Sequence, residues 1–152
     1  MLRNILLVLL LLIGAPCYGQ VTKIPIWGEF ANSDSTAATL TETTARISLY
    51  KMVAGVPTAV TLAATDVVEL SDISAGVSGT GTLTIYSGSD DTLAAGEQMF
   101  KSTHAVGSLT ATISFRNPPQ SIPGTYPKVE TSVTGSTIVF VRGYIVKTLT
   151  SI

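Results

Sequence analysis

The sequence predicts an all-β protein: an antiparallel β-sandwich or jelly roll of about seven or eight strands, preceded by a cleaved signal peptide. Three observations lead there. Apolar and polar residues alternate with period two in several segments, the mark of strands with one buried face. Glycine and proline break the chain about every 10–20 residues. Serine and threonine make up roughly a quarter of the 152 residues, while charged residues make up only 12%. β-Branched side chains pack well on a pleated surface, so this composition suits sheet. No amphipathic helix separates the strand patterns, which argues against a βαβ arrangement.

The first element is an address. Arg3 is followed by a nine-residue apolar run, Ile5 to Ile13, and then by the breakers Gly14 and Pro16. That is the layout of a secretory signal peptide, and the run is shorter than the roughly 20 residues a membrane-spanning helix needs. The favoured cleavage point is after Gly19. Lipidation of Cys17 is the rival reading, and Pro16 speaks against it because lipoprotein signals carry a small residue there. Cleavage removes the only cysteine and Arg3, leaving eight basic against ten acidic residues and a net charge of −2. The mature chain is then held by its core and sheets without disulfides. It is expected to be secreted or extracytoplasmic, on the cell surface or in the periplasm if bacterial, with no further membrane span. None of the asparagines, Asn4, Asn32 and Asn117, opens an N-glycosylation acceptor.

Residues 20–44 form the second region. Gln20 to Phe30 is apolar and strand-like, with Val21, Ile24, Ile26, Trp27 and Phe30, and a polar connection runs from Ala31 to Thr44. Two readings fit it: a first strand with a long connection, or an arm that adds as a strand to a neighbouring subunit. On the second reading Ile24, Ile26, Trp27 and Phe30 are interaction residues.

The main domain is expected over 45–152. Strand patterns run over Ala45 to Met52, Ala59 to Ala64, Val67 to Ile73 and Gly81 to Tyr86. Ser108 to Arg116 is the cleanest, with Leu109, Ala111, Ile113 and Phe115 on one face. Asp91 to Lys101 reads equally as a short helix capped by Asp91 or as a turn at Gly96 leading into a strand, Glu97 to Ser102. Lys128 to Val133 and Thr137 to Lys147 flank Thr134-Gly135-Ser136, a hairpin signal. Ile138-Val139-Phe140-Val141 is apolar on both faces and predicts a central strand. Arg142 within it is either paired with a carboxylate such as Glu130 or exposed at an edge, and the pair is favoured because an unpaired buried guanidinium is costly.

The composition also narrows the chemistry. Nine basic residues balance ten acidic ones, and no basic stretch matches a row of phosphates, so nucleic acid is not an expected partner. One histidine, His104, and no mature thiol give no Ser-His-Asp or Cys-His constellation and no zinc ligand set. No pair among the ten carboxylates stands out for glycosidase work. The chain is therefore expected not to be an enzyme and to hold no cofactor. Asp90 and Asp91, in the loop Ser87-Gly88-Ser89-Asp90-Asp91-Thr92, offer hard oxygens suited to calcium, although an ordinary turn explains them as well.

The loop Asn117 to Pro127 carries four prolines. It reads as a crossover between the two sheets, with Ile122 and Tyr126 as candidate contact residues on a stiffened segment. Trp27, the sole tryptophan, reads as core, with sugar stacking or a protein interface as the functional alternatives. The composition is similar to that of surface, pilus-like and virion structural proteins. The expected role is structural, in assembly or adhesion, with a protein partner that includes a second copy. Binding a glycan, with or without calcium, is the alternative, and a virion structural or decoration protein is the second.

Overall fold

The computed structural model describes residues 21–32, 45–79, 81–87, 97–104, 111–131 and 136–148. The signal segment 1–19, the polar connection 33–44 and the candidate calcium residues Asp90 and Asp91 lie outside them. The described chain is all-β, in nine strands: β1 (Val21–Asn32), β2 (Ser48–Val53), β3 (Val56–Ala59), β4 (Val67–Val77), β5 (Gly81–Ser87), β6 (Gln98–His104), β7 (Ala111–Ser114), β8 (Pro127–Thr131) and β9 (Thr137–Thr148). They form two antiparallel sheets, one of six strands in the order β3-β2-β1-β9-β4-β7 and one of three in the order β6-β5-β8.

The longest pairing joins β1 to β9, in register from Val21↔Thr148 to Asn32↔Thr137. Of the two readings of residues 20–30, the structure takes the first strand. The arm reading is corrected: β1 is an interior strand of its own chain's sheet, between β2 and β9. The reason is its alternation, which turns Ile26 and Phe30 into the core, 4% and 6% exposed, with Ile24 packed against that core. One apolar cluster joins the inner faces of the two sheets: Leu49, Leu70, Val139, Val141 and Ile145 from the larger, Leu83, Ile85 and Val129 from the smaller. Burial of these side chains is the main favourable term of folding.

The chain crosses between sheets on backbone bonds. Arg46 bridges to Lys128, and the Ile47 amide donates to the Pro127 carbonyl at 2.9 Å before β2 enters the larger sheet. The proline-rich loop makes the return crossing, as expected. It runs along β4 first: Leu70 N donates to Pro119 O, Ser121 N to Val68 O, and Val68 N to Ser121 Oγ. Residues 119–121 thus cover the half of the β4 edge that the short β7 does not reach.

Three expected elements differ in detail. The strand placed at 59–64 lies earlier, because Ala54 and Gly55 both take positive φ (48° and 83°) and close a two-residue hairpin between β2 and β3. Over residues 98–101 the strand reading holds and the helix reading does not, since these residues pair with β5. Of the strand expected at 108–116, residues 108–110 lie outside the described residues, Ala111–Ser114 pair with β4, and Phe115 N donates to Ser71 O at 2.9 Å. Arg142 is also corrected. It does not pair with Glu130, which accepts a hydrogen bond from Tyr86 Oη at 3.1 Å in the other sheet. Among the described residues no helix is long and apolar enough to cross a membrane.

Candidate functional site

The inner face of the larger sheet belongs to the core, so its outer face is the side of that sheet open to contact. Alternation sends the odd positions of β1 and the even positions of β9 outward. Register then sets one row across the sheet: Tyr50↔Trp27↔Arg142↔Asp72↔Ser114. A second row runs Ser48↔Glu29↔Phe140↔Ser74↔Thr112. A third holds Pro25↔Tyr144↔Glu69. The alignment of Asp72 with Arg142 depends on a β-bulge between Leu70 and Asp72, which adds one residue to β4 and re-aims its side chains.

Much of this face is apolar and open. Phe140 is 52% exposed, Met52 55%, Ile138 44% and Tyr144 37%. Trp27 is half-buried and stacks on Tyr50, with ring centroids 6.1 Å apart and planes inclined by 27°. Single exposed apolar residues are ordinary, but a contiguous group marks an interaction surface. Two clefts adjoin the central row, of about 520 and 500 Å³, and Trp27, Asp72 and Arg142 line both.

The polar groups of the face are mostly engaged. Lys23 Nζ donates to Glu69 Oε1 at 2.8 Å and lies 5.5 Å from the centroid of the Tyr144 ring. Ser74 and Thr112 share a hydrogen bond between their hydroxyls. Asp72 accepts from Ser71 Oγ at 2.8 Å and from Ser114 Oγ. The Ser114 bond holds the Asp72 carboxyl below its ordinary pKa, Ser71 adds to this, partial desolvation opposes both, and the nearby Arg142 charge lowers it a little further. Among the described residues Arg142 is in no ion pair; it acts on Asp72 only through the field between them.

The direction of the shift fixes a pH dependence. A carboxyl with a depressed folded-state pKa adds stability above its unfolded pKa of about 3.9 and loses it as pH falls through the folded value. Solvent screening keeps that contribution small. NMR titration is expected to find the Asp72 midpoint below that of free aspartate. Ser114→Ala should move it back up; an unmoved midpoint would contradict the hydrogen-bond origin.

The sequence candidates fall in three places. Trp27 is on this outer face rather than in the core. Ile24, Ile26 and Phe30 alternate with it and face inward. Ile122 is 44% exposed on the crossover loop. Tyr126, on the same loop, is pinned: its hydroxyl donates to Val60 O at 2.9 Å and accepts from Leu62 N at 3.1 Å, and the Arg46 guanidinium sits 4.0 Å from its ring centroid. Sequence reasoning missed Tyr50, Met52, Asp72, Phe140 and Tyr144 as site residues. The available signal was β9 itself, whose run is apolar on both faces.

The face can offer aromatic and aliphatic contact around one acid–base pair. Among the described residues no group of three or more His, Cys, Asp or Glu is placed to hold a metal ion. No protein-family model matches the chain, and no curated protein matches it.

Proposed function

We propose that this chain is a secreted or surface β-sandwich that works by assembly or adhesion, without catalysis, through the outer face of its six-stranded sheet. One observation carries the reading: Trp27, Tyr50, Met52, Ile138, Phe140 and Tyr144 surround Arg142 and Asp72 on a face that the chain leaves uncovered among its described residues. Aromatic residues, methionine and arginine are the types enriched at the centres of protein interfaces. The sandwich reading is supported by one core shared between two antiparallel sheets. The extracytoplasmic reading is supported by the apolar leader, Ile5 to Ile13 with Gly14 and Pro16 behind it, ahead of the β domain.

The test follows where the protein goes in the cells that make it. The parent chain is expected in the cell-attached or particle fraction, and Phe140→Glu is expected free in the medium with an unchanged melting temperature. A parent chain found only as free soluble protein would sink the reading.

A glycan is the second reading, favoured by the Trp27–Tyr50 stack beside Asp72, Ser74 and Thr112. It ranks lower because Met52, Ile138 and Phe140 have nothing to offer sugar hydroxyls.

A further inference from the structure

We infer that the outer face of the six-stranded sheet is covered by a second copy of this chain, packed face to face about a two-fold axis parallel to the line between β1 and β9. This rests on the reading above that the chain docks through this face, and it names the partner. The strand order divides into two threes, β3-β2-β1 and β9-β4-β7, so that line is the midline of the sheet. Rotation by 180° about an axis above it lays β1 of one copy over β9 of the other along their whole pairing and β2 over β4 for the length of β2, while β3 meets β7 only on the central row. A closed two-fold contact of this kind must be self-complementary.

The rows supply the complementarity. Trp27 and Arg142 are register partners on either side of the midline, so the operation sets each Trp27 ring against the partner's Arg142, a cation over an aromatic face, twice. Tyr50 and Asp72 are the next residues out on the same row, so each Tyr50 hydroxyl comes opposite the partner's Asp72, an ionised acceptor. Pro25 meets the partner's Tyr144, and Ala31 the partner's Ile138. Charge fits as well. The outward positions of these strands carry two cations, Lys23 and Arg142, against three anions, Glu29, Glu69 and Asp72, while Lys51 and Lys147 stand at the alternate positions. A face built for a strongly charged partner carries an excess of one sign, whereas this one can meet itself without repulsion.

Size and edges agree. Six strands about 4.8 Å apart and about six residues long at about 3.4 Å each give a face of roughly 600 Å² per copy. The pair would bury roughly 1,200 Å², the lower end of the range for stable specific interfaces. Edge-to-edge growth is discouraged, since β3 carries Pro57 and β7 has only four residues.

Sedimentation of the full chain in a Cys17→Ser background tests this. A dimer is expected at micromolar concentration, and Phe140→Glu, which sets a carboxylate opposite the partner's Glu29 twice, should raise its dissociation constant about thirtyfold without changing the far-ultraviolet circular dichroism. Arrangement is read by thiol cross-linking with a short bismaleimide, whose span matches the roughly 10 Å between packed sheets. Ala31→Cys and Ile138→Cys chains, mixed, should form a mixed cross-linked dimer faster than either forms with itself. A parent chain that stays monomeric at roughly 100 μM overturns the proposal, as does a dimer in which the mixed cross-link is not favoured. A monomer that still locates to particles or cells, and is released by Phe140→Glu, overturns the dimer alone. A monomer found free in the medium in both forms removes the docking face too.

Discussion

Gly143→Ala is expected to destabilise the fold by about 3 kcal/mol or more, because the added methyl group meets backbone at the shortest approach among Gly28, Gly55, Gly124 and Gly143. Gly143 lies inside β9, where its register partner on β4 is Leu70, one residue before the bulge. A Cβ there would sit 1.9 Å from the Glu69 carbonyl oxygen, 2.9 Å from its carbon and 3.1 Å from Leu70 Cα. All three atoms are backbone, so no side chain can rotate away. The strands would have to separate where the sheet changes register. Glycine inside a strand commonly marks such close backbone approach. The bulge also aligns Asp72 with Arg142, so the same substitution should disturb the outer row. Urea denaturation with circular dichroism measures the loss. A Gly143→Ala chain within about 0.5 kcal/mol of the parent would show that β4 and β9 do not approach so closely.

The strands were legible where one face is buried and the other polar. Gly81 to Tyr86 alternates throughout and Val67 to Ile73 alternates as far as the bulge at Ser71, and both appear within observed strands. The crossover role of residues 117–127 was legible from its prolines. The site was not. Trp27, Phe140 and Tyr144 are the residue types that fill cores, and a sequence shows alternation without showing which face meets the other sheet. Arg142 is the sharpest case. Cost alone favoured a buried partner such as Glu130, whereas its even position on β9 places it on the open side, across from Asp72. That neighbour is set by a one-residue bulge, and no local residue type announces it. The first strand was ambiguous for a related reason. Val21 to Phe30 can pair with any suitable edge, and only the twelve-residue match to β9 settles which.

The two faces of β9 can be separated by one substitution made twice. Ile145 and Ile138 are the same residue on the same strand, seven positions apart, so they point to opposite sides of the sheet. Ile145 is 2% exposed within the apolar cluster, and Ile138 is 44% exposed on the outer face. Ile145→Ala removes buried methylene and methyl groups and leaves a cavity between the sheets, at a cost of about 3 kcal/mol. Ile138→Ala leaves a gap in nothing within the chain and should cost about 0.5 kcal/mol or less to the isolated molecule. The order reverses for assembly. Ile138→Ala should weaken association through the outer face, and Ile145→Ala should change it only as far as it unfolds the chain. Melting curves at low and high protein concentration read both effects, because a ligand that binds only the folded form raises its apparent stability. Equal losses from the two substitutions would mean that Ile138 is buried within a single chain. The outer face would then be covered by the protein itself and could not be its docking surface.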